Sequence, residues 1–207
     1  TLASLTIHQQ TFVSYGLGDD TDQAAAELVD GAYFRTFRVV PAQGRALTDD
    51  DDRGAARVAV VSDRWWRSHL GGAADAVGQT VHLHGAAFTI VGVAPAGFFG
   101  IVVGENPDVM VPVTMKAQMT PTWDDLMNRR SRWLTVMARL KPGVPAAEAE
   151  AAMNVVYRQI NELELKEMTG VSQLFGERFV SKHLFLRPGQ KGRSDLRQQF
   201  TTPILVL

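Results

Sequence analysis

The chain has 207 residues, enough for one large domain or two small ones. Lys and Arg total 21 against 22 Asp and Glu, a formal net charge of −1, which gives no bulk attraction to nucleic acid or to an anionic membrane. Hydrophobic residues at 45% exclude a wholly disordered chain, and the absence of Cys excludes a disulfide framework, a thiolate metal site and a Cys nucleophile.

Residues 3–13 alternate, with Leu5, Ile7, Phe12 and Val13, and predict a strand with one buried face. Residues 24–29 read as a second strand and Asp30-Gly31 as a turn, followed by a short helical turn carrying Tyr33, Phe34 and Phe37. Asp49 to Asp52 read as an acidic loop. Residues 57–61 form a β-branched run, and Ser62 is a fitting N-cap for a short helix over 63–70 that Gly71-Gly72 stops. Residues 79–84 and 87–93 alternate on either side of Gly85-Ala86, a hairpin pattern. Pro95, Gly97 and Gly100 mark a loop around Phe98 and Phe99. A strand over 108–113 ends near Pro112, which suggests a strand end or a sheet edge. Residues 133–140 alternate as a strand. A helix over 145–168 follows, with Pro145 in its first turn and Ala149, Met153, Val156, Ile160 and Leu163 as one apolar stripe. Residues 177–186 read as a last long strand, and a helix from about 194 leads into the apolar end.

No run of about 18–20 apolar residues occurs. The start at Thr1 and the close on Ile204, Leu205, Val206 and Leu207 after Pro203 leave two expectations. One is a fragment of a longer protein, cut where a buried or membrane helix begins. The other is a C-terminal strand docked in the core.

The residues yield no catalytic set. His82 and His84 share a strand face, but a zinc site needs three or four ligands, and a solvated face is the better reading. The acidic run at 49–52 lacks the glycine and terminal glutamate of a calcium loop. Ser62 has no nucleophile-elbow pattern around it, and Gly92 with Gly97 forms neither a dinucleotide nor a phosphate loop. Trp65 and Trp66, adjacent on a helix, point about 100° apart, so at most one is expected in the core. Phe98 and Phe99, between Gly97 and Gly100, either plug a neighbouring lobe or meet a partner; with Trp66 they are the candidate partner or inter-lobe contacts.

One set of segments carries a resemblance. It begins with Glu27-Leu-Val-Asp-Gly-Ala-Tyr-Phe-Arg-Thr-Phe-Arg-Val-Val-Pro-Ala-Gln-Gly-Arg45 and Val58-Ala-Val-Val-Ser-Asp-Arg-Trp-Trp66. Phe88-Thr-Ile-Val-Gly-Val-Ala-Pro95, Gly97-Phe-Phe-Gly100 and Pro107-Asp-Val-Met-Val-Pro112 follow. The series ends with Arg132-Trp-Leu-Thr-Val-Met-Ala-Arg-Leu-Lys-Pro-Gly-Val144, which leads into an Ala/Glu-rich helix. In this order the segments resemble the MacB-like periplasmic core domain of FtsX-like ABC-transporter permeases, closest to the duplicated permeases of Acidobacteria.

The resemblance implies an α+β fold of two lobes. A porter-like, layered α/β lobe would comprise 1–54 and 116–193, a mostly β lobe over 55–115 would be inserted into it, and 194–207 would begin a transmembrane helix. It further implies a non-enzymatic domain in the periplasm, on a protein of the cytoplasmic membrane, between the first and second membrane helices. The domain would transmit conformational change to cargo or partner proteins. The implied partners are its own membrane helices, an ABC ATPase, a periplasmic protein and a second copy in a dimer, with no nucleic acid. No cofactor is implied in the fragment, since ATP would bind a separate ATPase domain or subunit. The alternative is a stand-alone periplasmic ligand-binding domain or enzyme, which a deep pocket with converging polar groups would mark.

Overall fold

A computed structural model describes residues 1–17, 20–128, 131–190 and 192. The chain divides into two units. The smaller holds Thr1–Ser4 and Ala138–Pro188; the larger holds Leu5–Met137 and, of the described C-terminal residues, Gly189, Gln190 and Gly192.

The larger unit is built on alternation of apolar residues. Its strands are β1 (Leu2–Leu17), β2 (Asp20–Val29), β3 (Gln43–Gly44), β4 (Val58–Val61), β5 (Thr80–Leu83), β6 (Ala86–Val93), β7 (Val109–Pro112) and the start of β8 (Thr135–Leu140). They form one eight-stranded mixed sheet in the order β2-β7-β4-β6-β5-β1-β8, with β3 on β6. β1 also pairs with β2. Six strands therefore close into a ring, β1-β2-β7-β4-β6-β5, sealed by Tyr15 opposite Leu83 and Gly16 opposite His82.

Parity sorts the side chains onto two faces. Val13, Tyr15, Ala26, Leu28, Ala59, Val61, Val109 and Val111 join one apolar cluster. Val29, Val60 and Met110 join the other, with Tyr33 and Phe34 of the helix α1 (Tyr33–Phe37). Both Ile90 and Val93 reach the first cluster because the β4–β6 register shifts between Ala59 and Val60, which flips parity along β6.

Short helices close the unit. α3 (Asp63–Leu70) starts where Ser62 Oγ accepts the Trp65 N–H at 3.1 Å and stops at Gly71 in the left-handed region. Residues 49–52, expected as a solvated acidic loop, are instead the helix α2 (Asp49–Arg53), because Thr48 donates its N–H and its hydroxyl to Asp51 Oδ2 at 2.8 and 2.9 Å. Both Trp65 and Trp66 are buried, against the expectation of one. Pro112 closes a strand held between β2 and β4 and lies at no sheet edge. A 3-10 turn (Val113–Met115) leads into α4 (Lys116–Met119).

The smaller unit contains the long helix α5 (Ala146–Glu167) and α6 (Gln173–Val180). The strand expected over 177–186 is not formed. Ser172 caps a helix there, accepting the Phe175 N–H at 3.2 Å, and Phe175 stacks on Phe179 one turn later. The chain beyond is held by side chains of α5: Asn154 donates to Leu184 O at 2.9 Å and accepts from Leu184 N at 2.8 Å, and Glu150 Oε2 accepts from Leu186 N at 2.7 Å. Of the stripe expected on α5 only Ala149 is buried; Ile160 is 45% and Leu163 59% exposed.

The expected partition is also redrawn. Residues 55–115 form no separate inserted lobe, because β4 to β7 are hydrogen-bonded into the same sheet as β1, β2 and β8. The helix expected over 194–207 lies outside the described residues.

Candidate functional site

The register of β1 on β2 sets Gln10 opposite Glu27 and His8 opposite Val29, so His8 and Glu27 are diagonal neighbours. Their side chains meet in a wholly buried polar cluster. His8 Nδ1 lies 2.7 Å from Glu27 Oε1, and Tyr33 donates its hydroxyl to Glu27 Oε2 at 2.7 Å. The ring N–H of His8 is not well aligned on the oxygen. The 2.7 Å separation nevertheless decides the pairing, since two buried polar atoms so close are held by a shared proton. The contact favours the tautomer with its proton on Nδ1. Burial, then the Glu27 carboxylate, pushes the Tyr33 phenol well above its usual range, so it remains a donor. His8 Nε2 is buried without a hydrogen-bond partner.

Beside this cluster the turn at Gly31 gathers carboxylates. Thr6 donates to Asp30 at 2.5 Å and the Gly31 N–H to Asp52 at 2.6 Å. Gly31 is required by close approach: a Cβ there would sit 2.2 Å from Asp49 N. Burial raises both Asp30 and Asp52 above the ordinary aspartate value, and neighbouring carboxylates add to it. For Asp51, burial raises the carboxyl, but the donors of Arg45 and Thr48 outweigh it and hold the group below the ordinary value. Arg45 grips Asp51 with two bonds of 2.7 and 2.9 Å.

A third polar feature is Lys116. Its side chain is buried; Nζ donates to Trp123 O at 2.7 Å and to the Thr120 hydroxyl, and lies 3.9 Å from the Trp123 ring centroid and 4.9 Å from that of Trp133. Burial pushes this ammonium down, and Asp124 and Asp125 oppose the effect. The aromatic box thus holds the chain's own cation and ties down the segment leading to β8.

The residues singled out from the sequence fall in different places. Phe98 is half-buried against Tyr33 and Phe34, with ring centroids 6.1 and 6.0 Å apart, so it packs within the larger unit. Phe99 is 60% exposed. Trp66 is 8% exposed, its Nε1 donating to Ala73 O at 2.9 Å. His84 lies outside β5 in the left-handed region and contacts Ser14 at 3.0 Å, so it does not share a strand face with His82. Among the described residues no three His, Asp or Glu side chains gather as a metal site, and no helix is long and apolar enough to cross a membrane. The His8–Glu27–Tyr33 cluster was not anticipated. The only signal for it was a polar His at an even position of β1 and a Glu inside the apolar run of β2.

Residues 3–156 match the family model described as MacB-like periplasmic core domain. The chain belongs to this family. Its fold resembles the periplasmic region of MacB from Actinobacillus actinomycetemcomitans, with a TM-score of 0.58 at 16% identity over 77% of this chain and 67% of that one. It also resembles the extracellular domain of the noncanonic ABC-type transporter YknZ from Gram-positive bacteria, with a TM-score of 0.56 at 14% identity over 75% and 76%. No curated protein matches it in sequence. The MacB-like core domain described here is thus a mixed α+β periplasmic domain of the kind carried by ABC-transporter permeases.

Proposed function

We propose that the domain transmits conformational change from the membrane and ATPase parts of an ABC-type permease to cargo or partner proteins outside the cytoplasmic membrane, without catalysis of its own. The family match over residues 3–156 carries this reading. The ring of strands supports it mechanically, since a displacement of one strand is passed to its hydrogen-bonded neighbours, as across the ten residue pairs of β1 on β2. ATP belongs, in this reading, to a separate ATPase domain or subunit. The partners are the permease's own membrane helices, that ATPase, a periplasmic protein and a second copy of the permease.

These 207 residues contain no cysteine, so the introduced labels are the only thiol sites within this domain. Spin labels at Phe12→Cys and Leu163→Cys, both exposed positions, report distances in the full-length permease reconstituted with its ATPase. The distance distribution is expected to change between nucleotide-free and ATP-trapped states, and to stop changing when the ATPase is inactivated. An unchanged distribution during active ATP turnover refutes transmission through this domain.

A further inference from the structure

The connection from α4 to β8 is fastened by a buried ammonium. Lys116 opens α4 and is 0% exposed. Its Nζ reaches Trp123 O at 2.7 Å, the Thr120 hydroxyl and the ring faces of Trp123 and Trp133. Asp125 joins the two indoles: its carboxylate accepts the Trp123 Nε1–H at 2.9 Å, and its carbonyl accepts the Trp133 Nε1–H at 3.3 Å. Trp133 in turn packs on the first apolar cluster. Two residues later β8 begins, and from Ala138 onward that strand belongs to the smaller unit. The fastening thus lies where the chain passes out of the larger unit.

Lysine is the costlier choice for a permanent fastening. Among two indoles, a hydroxyl and a carbonyl the ammonium gives up its hydration, and burial depresses it. An apolar side chain of similar length would fill the box without that cost. It would leave Trp123 O paired, because the Thr120 hydroxyl lies 2.9 Å away and can donate to it. The difference appears on opening. When the connection lifts, water drives an apolar side chain back, whereas an ammonium recovers its full hydration. Trp123, 42% exposed, is the side of the box that faces solvent. Lysine therefore narrows the gap between a closed and an open form. We infer that Lys116 is a reversible latch: closed, it holds β8 to the larger unit; open, it lets the strand move. Its use in transmission rests on the proposed function; the latch itself does not.

Amide hydrogen exchange on the 207-residue chain is the test. Lys116→Met fills the box and is expected to slow exchange of the β8 amides about tenfold relative to the parent; Lys116→Ala empties it and is expected to speed exchange about tenfold. β2 and β7, held elsewhere in the sheet, should exchange alike in all three proteins. n-Propylammonium chloride supplies the atoms that Lys116→Ala removes, so it should restore slow exchange saturably. Tetramethylammonium chloride at matched ionic strength, which has no N–H to donate, should not. Exchange in Lys116→Met as fast as in the parent, or faster, overturns the latch, since the ammonium is then a plain structural stay. So does an equal change over β2 and β7, or no restoration by n-propylammonium. In the full-length permease labelled at Phe12→Cys and Leu163→Cys, Lys116→Met should blunt the ATP-driven change in distance. An equal change in Lys116→Met and the parent overturns the use of the latch in transmission. If the parent itself does not change, the transmission reading fails and the exchange experiment alone judges the latch.

Discussion

Replacing Tyr33 by Phe removes one oxygen from the centre of the larger unit and little else. The ring keeps its edge contacts with Phe34 at 5.3 Å, Phe37 at 5.1 Å and Phe98 at 6.1 Å. What is lost is a 2.7 Å bond to a fully buried carboxylate. Bonds to charged groups contribute about 1.5–3 kcal/mol, and here Glu27 Oε2 loses its donor where water does not reach. A destabilisation of about 2 kcal/mol is expected. For a chain of this size that lowers the melting temperature by roughly 4–8 °C. Urea unfolding with an unchanged m-value, together with calorimetry, reads the effect. Since the phenol is held above its usual range, the loss should be constant through mildly alkaline pH. Glu27→Gln, introduced alone and together with Tyr33→Phe, closes a cycle in which the coupling should be at least about 0.5 kcal/mol. If Tyr33→Phe falls within about 0.5 kcal/mol of the parent, the phenol does not hold the carboxylate and the reasoning is wrong.

Phe98→Ala should destabilise by about 2–3 kcal/mol, less than for a fully buried ring, whereas Phe99→Ala should stay within about 0.5 kcal/mol; thermal unfolding of the two single variants separates them. Asp51 has a folded-state pKa below its unfolded value, so its contribution is fully present above the ordinary 3.8 and is lost as pH falls through the folded value. The parent should accordingly exceed Asp51→Ala by about 2 kcal/mol at neutral pH, and the gap should close only below 3.8 in acid denaturation series. Asp52 behaves oppositely: its raised pKa makes the ionised group a cost, so Asp52→Asn, which keeps an acceptor for Gly31, should gain stability relative to the parent as pH rises above 3.8. A gain that is the same on both sides of that value would contradict the assignment.

Much of the local structure was readable because it is locally determined. Ser62 and Gly71 bracket α3 by capping alone, and the β5–β6 hairpin follows from alternation, although its turn is His84-Gly85 and not the expected Gly85-Ala86. Where the reading failed, either a local side-chain cap that composition hides or a partner distant in sequence decided the outcome. The helix α2 depends on Thr48 and Asp51 exchanging bonds within a run of like charges, which composition presents as a loop. Residues 177–180 join a helix because Ser172 and Phe175 lie upstream of the segment that reads as a strand. The closure of the ring rests, among the described residues, on two residue pairs, Tyr15 with Leu83 and Gly16 with His82, about seventy positions apart, while β7 on β2 also joins 55–115 to the first strands. The polar cluster was illegible for the same reason: His8, Glu27 and Tyr33 form no motif, and only register and the placement of α1 bring them together.

The ring has a seam. Among the described residues ten pairs join β1 to β2 and two join β1 to β5, with the His84 N–H reaching Ser14 O at 2.8 Å just beyond them. A hoop fastened so unevenly yields at its clasp. Strain carried along β1 would part it from β5 first, leaving the β1–β2 ribbon whole and hinged on the β2–β7 side. The same few bonds that turn an open sheet into a closed one therefore mark where it can come undone without unfolding.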